Sequence, residues 1–356
     1  MNGDGGPAAE VEARVSKLFQ IDLVTIVGSG WACGHGLPSM SELASELLDT
    51  VPNYDEFEQL PEPDREAWEG AASALSETAD IEQALNGVLA DSALIPLIER
   101  AVAGLVGERE RVALGALIDG GQTSDFGDFI RYLSRVGSPI SVVTTNYDRL
   151  LEFSARMAGF FVDDMFAGSH FGSFDAGGSR NEQRVWGTAR GRQTLTSRPH
   201  IRLFKPHGSL DWFEDRGGRV FRTEMPNSAR RKIVTPGSAK LAAGYHPLFD
   251  TQRSGANRAI REASGFLVLG FGFNDSHLQT YLSERLRSGA PALILTKSLS
   301  DTAKQLISEM PEVWGISEGP TNQLSTLTTS AGEFDLGTSY AWQLSTFLSE
   351  ILHFRD

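Results

Sequence analysis

Leu23-Val24-Thr25-Ile26-Val27-Gly28-Ser29-Gly30 is the stretch on which the fold turns. Five apolar or β-branched residues run straight into a glycine, the pattern of a buried parallel strand feeding a phosphate-type loop. The chain continues Trp31-Ala32-Cys33-Gly34-His35-Gly36. It then reads Leu37-Pro38-Ser39-Met40-Ser41-Glu42-Leu43, where Ser39 and Glu42 have capping-box spacing and predict a helix through Leu48. Glycines at 28 and 30 let backbone N–H groups approach phosphate oxygens, with the Ser29 hydroxyl as a further donor; a tight turn alone would use the same glycines. The stretch departs from the ordinary dinucleotide fingerprint. Position 33 is Cys rather than a third glycine, the helix is delayed to Ser39, and no acid ends a second strand about 20 residues on. A plain dehydrogenase is therefore disfavoured.

Outward from this stretch, similar strand-to-polar transitions recur. Ile140 to Thr145 reads as a strand followed by Asn146-Tyr147-Asp148 and a helix through Leu150, Leu151 and Met157. Ile201 to Phe204 leads into Lys205-Pro206-His207-Gly208-Ser209-Leu210-Asp211-Trp212, Phe266 to Leu269 into Gly270-Phe271-Gly272-Phe273-Asn274-Asp275, and Ala292 to Leu295 into Thr296-Lys297. In open parallel sheets ligands bind at the carboxyl edge, so these segments are expected to converge on one crevice. The fold class that follows is α/β, a Rossmann-like parallel sheet flanked by helices. Residues 54–135 are acidic and helical in period and read as an inserted helical subdomain. Residues 163–200, rich in Gly, Ser, Arg and Phe, read as an irregular basic insertion, and 338–352 as a closing helix. The expected organisation is an N-terminal segment over 1–20, a main α/β domain over 21–300 and its completion over 301–356.

Each polar cluster admits two readings. Asn146 suits a turn or cap as well as a ligand contact. His207, between a stiffening proline and an open glycine, can sit at a strand end as a proton-transfer group or simply be a satisfied structural residue. Asn274-Asp275 can cap the following helix as well as touch a ligand.

Composition narrows the classes. The 356 residues are 40% apolar, 22% charged and 9% aromatic, which excludes disordered and fibrous chains. The single cysteine, Cys33, excludes a disulfide framework and any zinc site built from several thiolates. No run of about 18 apolar residues occurs and the N-terminus is small and acidic, so a soluble, cytoplasmic chain without membrane contact is expected. A net charge of -14, from 32 basic and 46 acidic residues, argues against direct nucleic-acid binding by the chain as a whole. Yet residues 180–232 hold 13 Lys or Arg against 5 Asp or Glu. This basic stretch is either a solvated region with compensating acids nearby or a surface for an anionic ligand, an acidic partner or nucleic acid.

Taken jointly, GSGWACGHGLPSMSEL from 28 to 43, TTNYD from 144, KPHGSLDW from 205, GFGFNDSHL from 270 and LTK from 295 resemble the sirtuin-like family in its divergent bacterial branch. Members of that branch degrade NAD in antiphage defence. The resemblance implies that Gly28, Ser29 and Gly30 hold the NAD pyrophosphate, that Asn146 lies beside the nicotinamide ribose, and that Thr145 and Asp148 also bind the dinucleotide. It further implies that His207 is the catalytic histidine, that Gly270, Phe271, Asn274 and Asp275 contact the ribose or adenine side, and that Thr296 and Lys297 flank the adenosine. Ser29 stands where the family often has Ala. More consequential, the deacylases of the family carry a four-cysteine zinc module, which one cysteine cannot build. The expected activity is therefore NAD hydrolysis to nicotinamide and ADP-ribose, with NAD as substrate and no metal. The alternatives are an NAD-dependent deacylase and a non-catalytic scaffold that binds NAD or ADP-ribose. Because the catalytic region takes up nearly the whole chain, control through a homo-oligomer or a partner in trans, with a HerA-like hexameric ATPase implied by the resemblance, completes the expectation.

Overall fold

The computed structural model describes residues 7–20, 22–78, 80–89, 91–120, 124–136, 140–189, 191–235, 246–273, 275–321 and 324–354. Its strands in chain order are β1 (Leu23–Val27), β2 (Ser141–Thr144), β3 (Phe161–Asp163), β4 (Phe166–Ala167), β5 (Phe171–Phe174), β6 (Arg184–Ala189), β7 (Arg192–Ser197) and β8 (His200–Phe204). They continue as β9 (Gly208–Glu214), β10 (Val220–Thr223), β11 (Arg230–Ile233), β12 (Gly265–Leu269), β13 (Ala292–Leu295), β14 (Val313–Glu318), β15 (Leu324–Thr329) and β16 (Gly332–Ser339). Nine of them form one sheet in the order β16-β15-β14-β13-β12-β1-β2-β8-β3. From β14 to β3 every neighbouring pair is parallel, and β15 runs antiparallel to both of its neighbours, β14 and β16.

The central strands are apolar because both of their faces are covered. On β1, Leu23 and Val27 join one core cluster while Val24 and Ile26 join another, and on β12 Leu267 and Leu269 part from Phe266 and Val268 in the same way. Side chains alternate across a strand, so a run without polar gaps is what burial on two sides requires. The first face is covered by helices Pro7–Leu18, Met40–Thr50, Glu62–Glu77, Ile95–Gly120 and Asp125–Val136. The second is covered by Pro247–Glu262, Ser276–Arg287 and Asp301–Glu309. Trp68, Leu75, Ile98 and Val106 of the helical 54–135 stretch belong to the same cluster as Val27 and Leu269, so these helices share the core of the sheet.

Three local expectations change. Residues 163–200 are largely regular. β4 and β5 enter a five-stranded sheet in the order β11-β9-β10-β5-β4, and β6 and β7 form a hairpin of their own. Gly, Ser and Arg in short strands with one wet face leave little apolar periodicity to read. A one-turn helix, Ser29–Cys33, follows β1 directly, ahead of the Ser39-capped helix, which extends to Thr50 with both capping-box bonds present. The closing helix does not begin at Thr338. Ser339 pairs with Leu324 across the two antiparallel strands, and the helical turns run from Leu344 to Ile351. Those strands, LSTLTT and GEFDLGTS, bury only Leu327 and Leu336 beside the polar Ser325, too few apolar positions to mark a strand by period.

Candidate active site

Four strand ends meet at the carboxyl edge of the sheet around one cavity of about 550 Å³. Ser29 comes from the turn after β1, Thr145 to Asp148 from β2, His207 from β8, and Phe271, Gly272 and Asp275 from β12. The rest of the wall is mostly aliphatic, from Leu37, Met40, Leu43, Ile81, Val102 and Val106, with the carboxylates Asp80 and Glu82 on either side of Ile81.

Asn146 ties two of these ends together. Its backbone N–H donates to Thr144 Oγ1 at 3.1 Å and its Nδ2 donates to the Gly28 carbonyl at 3.2 Å, while the Thr144 hydroxyl donates to the Val27 carbonyl at 2.8 Å. The structural and ligand readings of Asn146 are thus compatible: Nδ2 braces the loop, and Oδ1 has no donor among the described residues.

His207 stands at the corner where β8 turns into the second sheet. The turn is closed by Gly208 N–H donating to the Lys205 carbonyl at 3.0 Å. Gly208 adopts φ +83°, and a Cβ there would lie 2.1 Å from the Lys232 carbonyl oxygen, so only glycine fits. His207 Nε2 sits 2.9 Å from Asp275 Oδ2. The other oxygen of Asp275 accepts from Leu278 N–H at 3.1 Å, so one carboxylate caps helix Ser276–Arg287 and holds the imidazole. Nδ1 of His207 has no hydrogen bond among the described residues.

Behind this edge Lys205 is fully buried. Its ammonium donates to the Asp148 carbonyl, to Glu152 Oε1 at 2.9 Å and to Ser209 Oγ at 3.1 Å. Burial disfavours the charge, but Glu152 and Asp148 outweigh it and hold Lys205 above its ordinary value. Burial raises both carboxyls against the pull of Lys205, Glu152 to about 7. Lys205 thereby fixes the Asn146 to Asp148 loop to the His207 turn, a role that its place beside the motif histidine did not disclose.

The fifth strand end does not join the cavity. Thr296 and Lys297 line a separate space of about 130 Å³, together with Gly30, Gly270, His35, Asp125 and the C-terminal residues Trp342 to Ser345. Between the two spaces the backbones after β1 and β12 touch. Gly28 N–H donates to the Leu269 carbonyl and Gly30 N–H to the Gly270 carbonyl, each at 2.9 Å. The two glycine donors expected to reach a phosphate are thus taken within the chain. Close approach is what the glycines serve: a Cβ on Gly28 would fall 2.5 Å from Gly270 O, and one on Gly270, at φ +56°, 2.2 Å from Trp31 N. Seven expected site residues therefore face the larger cavity, four face the smaller, and Gly28 lies at the crossing; Asn274 is outside the described residues. In the smaller space His35 Nε2 contacts Asp125 Oδ1 at 3.1 Å. Burial opposes the imidazolium there, but Asp125 outweighs it and raises the His35 pKa. Cys33 lies near Pro38 O, with its thiol pushed up by burial and by Glu42 and Asp148.

Most of the later cationic groups of the basic stretch have acids beside them. Arg219 pairs with Asp215, Arg222 with Asp164, Arg230 with Glu99, and the buried Lys232 with Glu214 at 3.0 Å. Among the described residues no helix is long and apolar enough to cross a membrane, and no group of three or more His, Cys, Asp or Glu residues could hold a metal ion.

The profile of a SIR2-like domain matches residues 140–308, which hold Asn146, His207 and Asp275. No curated protein matches the chain in sequence. Among solved structures, a mutant of a Sir2 homologue in complex with 2′-O-acetyl ADP ribose is 13% identical with a TM-score of 0.42, over 97% of this chain and 98% of that one. Sir2Tm bound to a propionylated peptide is 14% identical with a TM-score of 0.42, over 81% of this chain and 87% of that one. Sir2 with the inhibitor EX-527, 2′-O-acetyl-ADP-ribose and a deacetylated p53 peptide is 15% identical with a TM-score of 0.38, over 81% and 88%.

Proposed function

We propose that the chain hydrolyses NAD at the bond between the nicotinamide nitrogen and ribose C1′. The observation that carries this reading is one cavity whose wall holds Asn146, with Oδ1 available, and His207, with Nε2 against Asp275 and Nδ1 available. The match of residues 140–308 to a SIR2-like domain supports NAD as the substrate.

In the reaction the nicotinamide nitrogen leaves with the bonding electron pair, and the ribose gains oxocarbenium-like positive charge. Water then forms the new bond to C1′ and gives up a proton. Asn146 Oδ1 orients the ribose or the water, since a carboxamide oxygen accepts from either. His207 takes the proton at Nδ1, and Asp275 stabilises the imidazolium that results. Products are nicotinamide, ADP-ribose and one proton released to solvent. The aliphatic part of the wall lowers the local dielectric and strengthens these interactions, while Asp80 and Glu82 add negative charge that favours a cationic ribose.

The motif resemblance supports extending the reading to a toxic NAD-depleting effector of antiphage defence in the cytoplasm, released by oligomerisation or by a HerA-like hexameric ATPase. A protein deacylase is the second reading, with the lone Cys33 against the zinc module that such enzymes carry; a silent NAD-binding scaffold is the third. Incubation with NAD followed by chromatography separates them. Free nicotinamide and ADP-ribose without any peptide supports hydrolysis, product only with an acyl-peptide supports deacylation, and unchanged NAD overturns both.

A further inference from the structure

β6 and β7 pair only with each other among the described strands. A lone two-stranded hairpin is marginally stable in water, so a face left bare on one calls for a partner. One face is half-buried at Val185, Gly187 and Thr194. The other carries Arg184, Trp186 and Leu195, all exposed. Trp186 is 71% exposed and stands directly across the ladder from Leu195, itself 47% exposed. Residues 180–200 hold five arginines against Glu182 alone. Arg180, Arg184 and Arg192 have no ion-pair partner among the described residues, unlike Arg219, Arg222 and Arg230.

A surface of opposite character lies elsewhere on the same chain. Residues 55–69 hold seven carboxylates against Arg65. Glu62, Glu66 and Glu69 recur at helical spacing on Glu62–Glu77, all exposed and without an ion-pair partner among the described residues. Pro61 and Pro63 beside them are exposed as well. Trp and Arg are the residues that most often anchor interfaces, and complementary charge orients the encounter.

We infer that the Arg184, Trp186 and Leu195 face of the hairpin docks on the 61–69 segment of a second copy of this chain. Two different surfaces meet, so the contact is head-to-tail and propagates to a ring or a filament. The inference does not depend on NAD chemistry.

The test is light scattering and sedimentation at micromolar concentration across a salt series. The proteins compared are the wild type, a hairpin variant (Trp186→Ser with Leu195→Ser) and an acidic-face variant (Glu62→Lys, Glu66→Lys, Glu69→Lys). The wild type is expected to self-associate, less so as salt rises, and each variant to associate at least about 30-fold more weakly, as for loss of an interface anchor. Mixed together, the two variants should recover a dimer and no higher species, because each retains the surface the other lacks. Circular dichroism melts close to wild type are expected, since all five positions are exposed. A monomeric wild type, undiminished assembly of the hairpin variant, or failure of the mixture to dimerise overturns the inference. So does a hairpin variant that loses binding to DNA or acidic vesicles while its assembly is unchanged.

Discussion

On one side of the Gly30 to Gly270 contact, the larger cavity gathers side chains from four strand ends and braces each of them. Asn146 is tied to Gly28, His207 to Asp275, and the loop between them to buried Lys205. On the other side, the smaller cavity holds Thr296 and Lys297 at the end of β13 with much less support. Thr296 bonds Ser298 O and lends its N–H to Ile316, and Lys297 is exposed. Both sit on the same edge of the same sheet. The difference teaches that a strand end predicts the edge where a polar residue lies, whereas the neighbouring loops decide which space it faces. Here two peptide groups in contact are enough to divide that edge.

The largest effect is expected where the division itself is removed. Gly270→Ala places a Cβ 2.2 Å from Trp31 N at a positive φ, which costs roughly 3 kcal/mol or more from backbone strain and overpacking together. In a chain of this size the melting temperature should fall by on the order of 5–10 °C, and NAD turnover should fall with it. Calorimetry showing an unchanged melt would mean that the two loops part at little cost and that the edge is one continuous groove.

Chemistry confined to the larger cavity gives the next effect. Asn146→Ala and His207→Ala should each lower NAD cleavage by about 100-fold or more with the melt nearly unchanged, as for groups at a reacting centre. Asp275→Asn keeps an oxygen for the Leu278 N–H but loses the negative charge behind His207, so kcat should fall about 10-fold while KM holds. Wild-type turnover in a folded His207→Ala protein would remove the histidine from the mechanism. A KM change alone in Asp275→Asn would return that carboxylate to the ligand-contact role first read for it.

The same contrast runs through what could be read from sequence. β1, β2, β12 and β13 were legible because burial on two faces keeps them mostly apolar, and β8 through Ile201, Leu203 and Phe204 despite the exposed Arg202; every expected cluster follows one of these strands. The Ser39 and Glu42 box was legible because its two bonds are local. The second sheet, β15 and β16 were not. Phe221 packs against Phe213 and Phe171 from neighbouring strands, and the buried Ser325 hydroxyl accepts from Ala341 N–H. Long-range pairs of that kind leave no period along the chain. Asp275 was legible as a residue and not as a partner of His207, because 68 positions separate them and only the fold makes them neighbours. Lys205 was likewise masked by the histidine two residues on.

Lys297 gives the smallest effect and the sharpest test of the division. The resemblance sets Thr296 and Lys297 beside the adenosine, whereas they open onto a space that excludes Asn146 and His207. An ammonium at an exposed site interacts through high dielectric, and salt screens it over about 8 Å at physiological ionic strength. Lys297→Ala should therefore raise KM for NAD by no more than about 3-fold, with kcat and the melt unchanged, as for a weak contact made equally in ground and transition states. Repeating the assay at higher salt should shrink even that difference. A loss of kcat approaching that of Asn146→Ala would show that NAD engages both spaces during cleavage, and that the Gly30 to Gly270 contact is spanned by the dinucleotide rather than marking its limit.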